Sequence, residues 1–336
     1  MSELVSILIP AYNAERWIGG TIESALAQSW NRKEVIVVDD GSTDHTLKVA
    51  KRFEAKGIVV LTQGNQGAAA ARNTALRAAQ GSYMQFLDAD DLLHPDKLTH
   101  QIRQAEDGGS SRTLLTGSWG RFFVRHDHAS LTPDSLWQDL SPVDWLVTKF
   151  TQNKFMFPAS WLVSRHLVEA AGPWDESLSM DDDGEYMCRL VATSCCVKFV
   201  PRARCYYRIG NPSSLSSQTS ASAMRSEFHS IRLCIDHLLS LEDSAKTRHA
   251  CVRLLQDNLP QFYPEHSDLV AQSHSLAHSL CGALHTPRER AHFKLFRSVL
   301  GWQRAKQLRG RLNATKLSLR RTLDRLPRLD RRAGSN

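Results

Sequence analysis

The stretch VIVVDDGS, at residues 35–42, runs from four β-branched residues directly into an acidic turn. A run this apolar predicts a strand buried on both faces, and the Asp-Gly-Ser sequence predicts the turn that ends it. Comparable apolar runs at 5–10, 58–62 and 83–87 alternate with helix-like segments at 14–28, 43–55 and 67–80. This alternation predicts an α/β fold, with a mostly parallel, Rossmann-like sheet and helices on both faces.

The composition of the 336-residue chain is that of an ordinary globular protein, with 42% hydrophobic and 23% charged residues. It excludes the fibrous and wholly disordered classes, and at roughly 150 residues per domain the length predicts about two domains. No apolar run reaches about 18 residues, and we find no secretory signal. Seven cysteines without a Cys-x-x-Cys motif fit a reducing compartment, so we expect a cytoplasmic protein.

Positive charge is concentrated at the C-terminal end. Residues 301–336 hold eleven Lys or Arg and two Asp, a charge of +9, which leaves 7 − 9 = −2 for residues 1–300. A near-neutral body argues against a nucleic-acid partner. Leucines recur among these basic residues at mostly helical spacing, which predicts an amphipathic helix on an anionic membrane surface. The alternatives are a helix packed on its own domain and a partly disordered end.

Acidic residues follow two of the predicted strands. Asp39 and Asp40 end one strand, and Asp88-Ala89-Asp90-Asp91 follows another. Ligands of parallel α/β sheets bind at the carboxyl ends of the strands, so these side chains are expected to share a cleft. Carboxylates at i and i+2 suit Mg²⁺ or Mn²⁺, with substrate phosphates completing the coordination. A solvated turn or a helix cap is the alternative interpretation of each cluster.

Two further features of the sequence could bind a ligand or transfer a proton. Arg72, in an alanine-rich helix, could contact a phosphate or a base edge, or could be a surface arginine. The run Asp181-Asp182-Asp183 places three carboxylates side by side, and their repulsion tends to raise the pKa of a buried member. Such a carboxylate can act as a general base, although acidic residues also complement a helix N-terminus. Neither a dinucleotide fingerprint nor a P-loop is present.

Several motifs in order resemble the family 2 glycosyltransferases of the GT-A fold. They are Val5–Asn13, Val38–Asp44, Asn65-x-Gly67 with Ala71-Arg72-Asn73, and Phe86–Asp91. The resemblance is strong over residues 4–105 and moderate over 155–215. It implies a nucleotide-sugar-binding half at 1–105 and an acceptor-binding half at 106–222, with the catalytic base and a flexible loop. A helical extension at 223–300 and the basic tail at 301–336 would follow.

The resemblance also implies residue roles. Pro10, Ala11, Tyr12, Asp39, Asp40, Arg72, Asp88 and Ala89 would line the nucleotide site, with Asp39 contacting a base that is usually uracil. Asp90, helped by Asp88, would hold Mn²⁺ or Mg²⁺, and Arg208 would meet the diphosphate. Asp183 would be the base, next to Asp182 where the family usually has glutamate. Trp174 could stack on an acceptor sugar.

The activity implied is inverting transfer of a sugar, from a UDP-sugar or another nucleoside diphosphate donor, to a hydroxyl of a glycan or lipid-linked acceptor. Polysaccharide or lipopolysaccharide assembly at the inner face of the cell membrane would be its setting. The same aspartates would serve a metal-dependent phosphohydrolase or nucleotidyltransferase, and an inactive nucleotide-sugar-binding module is a third class. The haloacid-dehalogenase pattern has Thr or Val at the position of Leu92, and this departure counts against the phosphohydrolase alternative.

Overall fold

The computed structural model describes residues 3–107, 110–210 and 220–287, together with Thr315, Thr322 and Asp324. Its strands are β1 (Val5–Ala11), β2 (Lys33–Asp40), β3 (Val59–Gln63), β4 (Tyr83–Phe86), β5 (Leu92–Leu93), β6 (Thr113–Phe122), β7 (Ser130–Leu131), β8 (Val163–Ser164) and β9 (Cys196–Arg208). Its α-helices are α1 (Ile18–Leu26), α2 (Thr46–Lys51), α3 (Ala68–Ala78), α4 (Lys97–Glu106), α5 (Pro142–Thr151), α6 (Arg165–Ala171), α7 (Asp182–Thr193), α8 (Ala221–Leu241), α9 (Ala245–Phe262) and α10 (Ser267–Ser279).

The first sheet has five strands in the order β3-β2-β1-β4-β8. The four strands predicted from the sequence pair in parallel, and only β8 runs antiparallel, against β4. Ala11 at the end of β1 lies opposite Asp39 on β2. The prediction of a mostly parallel sheet is therefore confirmed, and the parallel register brings the ends of β1 and β2 to one edge.

The parallel strands bury side chains on both faces, as their unbroken apolar sequences require. On β1 and β2, Leu8 and Ile36 belong to one hydrophobic cluster, and Ile7, Ile9 and Val37 belong to a second cluster on the opposite face. Helix α3 contributes alanines to the first cluster and α1 contributes isoleucines to the second. The expected helices on both faces are thus present.

A second sheet, in the order β5-β9-β6-β7, carries the later part of the site. Strands β6 and β9 run in parallel, but their register shifts: Gly117 pairs with Val200, whereas Ser118 pairs with Arg204. Residues 201–203 form a bulge at this point, and a proline at 201 is tolerated because a bulge needs no ladder hydrogen bond there. Beyond the bulge β9 continues to Tyr207 and Arg208.

Helices α8–α10 form the C-terminal extension that the sequence predicts. Ile231 and Leu238 of α8 lie in the same hydrophobic cluster as Leu8 of β1, and Phe228 packs edge-on against Phe262 of α9. The extension therefore shares its core with the sheet. The assignment of separate roles to residues 1–105, 106–222, 223–300 and 301–336 stays a prediction.

Most of the predicted basic helix, and residues 211–219 of the predicted flexible loop, lie outside the described residues. Asp324 is described, and its carboxylate accepts hydrogen bonds from the backbone N–H of Val124 (2.8 Å) and of Arg125 (3.1 Å). It also lies 2.8 Å from Nδ1 of His128. Position 324 thus packs on the loop after β6. In the described ranges no helix combines the length and apolar composition that crossing a bilayer would require.

The bulge provides a test of the β6–β9 pairing. A Cβ at position 117 would lie 2.1 Å from the carbonyl oxygen of Ala203. Gly117→Ala is therefore expected to destabilise the protein by about 1–3 kcal/mol, because backbone must move to relieve the overlap. Urea unfolding measures this, with Gly20→Ala in α1 as the control. Nothing lies within 4 Å of a Cβ there. The control should stabilise slightly, and equal stability of the two variants would contradict the packing.

Candidate active site

The Asp39 carboxylate lies at the edge formed by the ends of β1 and β2, and one of its oxygens has no hydrogen-bond donor among the described residues. Pro10 and Ala11 are buried within β1, whereas the Tyr12 side chain that follows is exposed. Asp39 is 3% exposed. Its Oδ2 accepts a hydrogen bond from the Ser42 backbone N–H at 3.3 Å, while Oδ1 has no donor among the described residues. A buried carboxylate oxygen without a donor is costly, so it marks a place for a ligand N–H or O–H.

The carboxylate of Asp40, the next residue, already accepts hydrogen bonds from other groups of the protein. Its carboxylate accepts hydrogen bonds from Gln63 Nε2 (2.8 Å) and from the backbone N–H groups of Gln66 (2.9 Å) and Gly67 (2.9 Å). These bonds hold the loop that leads into α3. The contact of Asp40 with a nucleotide stays a prediction, and the role visible here is to position that loop.

Arg72 joins three distant parts of the chain. Nη2 lies 2.8 Å from Oδ1 of Asp88 at the end of β4, and Nη1 lies 2.6 Å from Oδ2 of Asp182 on α7. The guanidinium carbon also lies 4.4 Å from the ring centroid of Trp174. Arg72 is 5% exposed, so its charge serves to hold these two carboxylates and leaves little surface for a nucleotide.

The three aspartates 181–183 have different environments. Oδ2 of Asp181 accepts a hydrogen bond from Ser230 Oγ at 2.7 Å, and Asp182 is ion-paired with Arg72. Asp183, in the first turn of α7, has no hydrogen bond or ion pair within the described residues. Burial first, and then the negative charges of Asp182 and Asp181, raise the pKa of Asp183 to about 7. A carboxylate with such a pKa is suited to take a proton near neutral pH.

The Asp88–Asp91 turn carries concentrated negative charge. Asp91 is fully buried; its Oδ1 accepts a hydrogen bond from the Arg208 backbone N–H at 2.8 Å, and its Oδ2 has no donor among the described residues. Burial raises its pKa well above the usual range, and Asp90 and Asp88 raise it further. Ala89 lies within this turn, where its carbonyl accepts a hydrogen bond from Thr21 Oγ1 at 2.9 Å.

This turn fits a divalent cation that shares its ligands with a substrate. Its donors are hard carboxylate oxygens, and one of the two oxygens of Asp88 is already paired with Arg72. Among the described residues, no group of three acidic, His or Cys side chains could hold a metal alone. Mg²⁺ is commonly bound through one or two carboxylates together with substrate phosphates, so Asp90 and Asp88 would suffice in that mode.

Arg208 is held rigidly beside the acidic turn. Its Nε donates to the carbonyl of Asp90 at 2.8 Å and its Nη1 donates to the carbonyl of Phe123 at 3.1 Å. The guanidinium carbon lies 4.3 Å from the ring centroids of both Trp17 and Phe122. The contact of Arg208 with a diphosphate stays a prediction, and the side chain lies directly against the turn that carries the candidate metal ligands.

The expectation that Trp174 stacks on an acceptor sugar is wrong. Trp174 is 1% exposed, stacks on Tyr186 with the ring centroids 4.0 Å apart, and lies under Arg72. No face of the ring is available to a ligand. The aromatic side chains that do reach the surface near the carboxylates are Tyr12, after β1, and Phe155, which the sequence analysis did not identify.

The family model described as "Glycosyl transferase family 2" matches residues 6–169. Residues 6–169 belong to glycosyltransferase family 2. This family 2 segment contains Asp39, Arg72 and the Asp88–Asp91 turn, and α7 with Asp183 follows it.

Curated relatives resemble the N-terminal part of the chain. An uncharacterized glycosyltransferase of Haemophilus influenzae is 45% identical over 102 residues, which are 30% of this chain and 41% of that protein. The UDP-Glc:alpha-D-GlcNAc-diphosphoundecaprenol beta-1,3-glucosyltransferase WfaP of Escherichia coli is 43% identical over 105 residues, 31% and 42% of the two chains. The match thus spans about two-fifths of these relatives.

Solved structures extend the likeness of fold beyond the family 2 segment. Staphylococcus aureus TarS 1-349 in complex with UDP-GlcNAc superposes with a TM-score of 0.68 at 18% identity, over 82% of this chain and 81% of that one. The mannosyltransferase PcManGT from Pyrobaculum calidifontis, in complex with GDP-Man and Mn²⁺, gives a TM-score of 0.51 at 16% identity, over 97% and 89%. The predicted GT-A fold is therefore confirmed.

The Arg72 bridge yields a stability prediction. Arg72→Met keeps the length of the side chain but leaves Asp88 and Asp182 without their cation, and we expect a loss on the order of 3 kcal/mol in the free energy of unfolding. Urea denaturation measures it. The matched control is Arg77→Met, on the same helix but exposed, which should cost less than about 0.5 kcal/mol. Equal losses for both variants would show that the bridge does not stabilise the fold.

Proposed function

We propose that the chain is an inverting glycosyltransferase that moves a sugar from a UDP-sugar to an acceptor hydroxyl. The observation that carries the proposal is the contrast between two carboxylates, of which Asp39 is buried and Asp183 is half-buried. Asp39 offers an acceptor oxygen without a donor, and Asp183 is an unpaired carboxylate with a pKa raised to about 7. The first suits recognition of a nucleotide base and the second suits removal of a proton.

The nucleotide is proposed from the chemistry of the Asp39 pocket. Uracil presents an N–H group that could donate a hydrogen bond to Oδ1 of Asp39. The exposed ring of Tyr12, which follows the end of β1, is available for contact with the base. The names of the relatives agree with this choice: WfaP uses UDP-Glc, and TarS was solved with UDP and with UDP-GlcNAc.

In the proposed reaction Asp183 takes the proton of the acceptor hydroxyl as its oxygen attacks the anomeric carbon. Attack on the face opposite the departing diphosphate inverts the configuration at that carbon. The side chains of Asp90 and Asp88 would hold Mn²⁺ or Mg²⁺, which supplies Lewis-acid stabilisation of charge on the leaving diphosphate. Arg208, fixed against the Asp90 carbonyl, would add a positive charge nearby.

The proposed acceptor is lipid-linked, and the proposed setting is assembly of a cell-surface polysaccharide. The name of WfaP specifies a diphosphoundecaprenol acceptor, and an E. coli chondroitin synthase is 45% identical over 95 residues, 28% of this chain and 14% of that one. A lipid-linked acceptor requires access to a membrane surface. The basic residues of 301–336 would provide it by attraction to anionic lipid at the cytoplasmic face.

The direct test is UDP release with and without acceptor sugars. Asp183→Asn is expected to lower acceptor-dependent release by about 10²–10⁴, because loss of a general base costs that much. Asp236→Asn, an exposed residue of α8, is the matched control and should retain full activity. Retained activity in Asp183→Asn would remove the base assignment. Release that needs no acceptor would instead indicate a phosphohydrolase, and binding without turnover would indicate an inactive module.

The raised pKa of Asp183 predicts the pH dependence of both activity and stability. Below about pH 7 Asp183 is protonated and cannot accept a proton, so kcat/KM should fall as pH decreases through 7. The folded protein holds this proton more tightly than the unfolded chain, so the ionised carboxylate destabilises the fold above pH 7. Asp183→Asn should therefore melt no lower than wild type at pH 8, which distinguishes lost chemistry from unfolding.

Vesicle flotation tests the membrane proposal. The full chain is expected to float with vesicles containing anionic phospholipid but not with neutral ones, and attraction should weaken as salt increases. A chain cut after Gly301 should stay at the bottom of the gradient. Equal flotation of both chains would exclude the tail as the membrane contact, and no flotation of the full chain would favour packing of the tail on its own domain, as Asp324 does.

A further inference from the structure

The described part of the chain exposes only four large hydrophobic side chains by more than a third, and two of them flank the carboxylates. They are Tyr12, Val59, Phe155 and Leu241. Tyr12 lies on the donor side, next to the Asp39 pocket. Phe155 is 38% exposed and packs edge-on against Tyr207, with the ring centroids 5.6 Å apart. Single exposed hydrophobic residues are ordinary, but this one caps a larger aromatic cluster.

The aromatic platform consists of Trp119, Phe155, Phe157 and Tyr207. Trp119 lies 5.9 Å from Phe155 and Phe157 lies 5.0 Å from Tyr207, centroid to centroid. Tyr207 precedes Arg208, which is bonded to the acidic turn. The pKa of the Tyr207 hydroxyl is raised first by burial and then by Asp91, Asp88, Asp183 and Asp90. The platform therefore lies beside the acidic turn that carries the candidate metal ligands, and the charge of the candidate base Asp183 acts on its tyrosine.

A cation lies at the edge of this platform. Arg121 follows Trp119 by two residues on β6, so both side chains lie on the same face of the sheet, and Arg121 pairs with Tyr207 across the strands. Its guanidinium carbon lies 5.2 Å from the Trp119 ring centroid. Arg121 is exposed and forms no ion pair with any acidic residue in the part of the chain that the structure describes.

We infer that the aromatic platform and Arg121 form the acceptor subsite, which takes a sugar ring joined to a phosphate. The sugar would lie on Phe155 beside Tyr207, with its reacting hydroxyl toward Asp183, and its phosphate would face Arg121. This inference rests on the proposed function and adds to it the residues that select the acceptor. It replaces Trp174, which is buried, by Phe155, whose side chain is exposed.

The chemistry of both groups fits such an acceptor. Phenylalanine has no polar atom, so an exposed phenyl ring can bind a sugar only through the apolar C–H face of the ring, where both surfaces leave water. Arginine presents a planar fork of N–H donors that matches a phosphate in a bidentate manner. Arg121 pairs with Tyr207 across the strands, so its charge lies beside the aromatic contact, as the phosphate of a sugar phosphate lies beside the sugar.

The test measures KM for two acceptors that share one sugar, an alkyl diphosphate-linked form and a plain alkyl glycoside. Phe155→Ala should raise KM for both by about tenfold, since an aromatic contact is worth that much. Phe155→Trp should restore binding. Arg121→Gln should raise KM about tenfold for the diphosphate acceptor only, since the glycoside lacks the charged partner. The matched control is Arg204→Gln, an exposed arginine on the other face of β9.

The outcomes separate this inference from the proposed function. UDP affinity, measured by calorimetry, should be the same in all these variants because none touches the donor pocket. If wild type releases UDP in response to acceptor but Phe155→Ala and Arg121→Gln keep their KM values, the subsite is wrong and the transferase activity stands. If wild type responds to no acceptor, the proposed function itself fails. An equal loss with both acceptors in Arg121→Gln would contradict the placement of the phosphate.

Discussion

The site depends on one buried guanidinium. Arg72, projecting from α3, holds Asp88 at the end of β4 and Asp182 at the start of α7 at the same time. Without this cation, the two acidic segments would repel each other across a partly buried cleft. With it, the turn that carries the candidate metal ligands is fixed relative to the helix that carries the candidate base. Trp174 packs against the guanidinium, and Tyr186 stacks on Trp174 in turn.

The same bridge helps to give each of the three consecutive aspartates a different environment. Arg72 neutralises Asp182 and Ser230 binds Asp181, so Asp183 is the member that stays unpaired among the described residues. Because Asp183 is largely withdrawn from water and its neighbours are negative, it holds a proton more tightly than an exposed aspartate would. On the other side, the carboxylates of Asp88 and Asp90 would face a diphosphate in the proposed complex. Like charges repel, so a bound cation would favour the approach of a diphosphate to this turn.

The strand pattern alone was sufficient to predict the parallel sheet and the edge where Asp39 and Asp88 lie. It could not predict the partner of Arg72, since Asp182 is 110 residues away and meets it only through tertiary packing. The sequence also does not predict which side chains are exposed, since both Trp174 and Lys97 are buried. The Lys97 ammonium donates hydrogen bonds to the side-chain oxygens of Gln85 and Gln101 (2.6 Å for Gln101) and to the Trp161 carbonyl at 3.4 Å. Phe155 was missed because no local pattern marks an exposed aromatic residue.

The most direct test of the account is a crystal structure of the protein with Mn²⁺ and an unreactive analogue of a UDP-sugar. Anomalous scattering would locate the manganese independently of the nucleotide. The account predicts manganese between Asp90 and the diphosphate, the uracil N–H on Oδ1 of Asp39, and the anomeric carbon facing Asp183 with room for one hydroxyl between them. A nucleotide bound away from Asp39, or a sugar whose anomeric carbon is turned from Asp183, would contradict it.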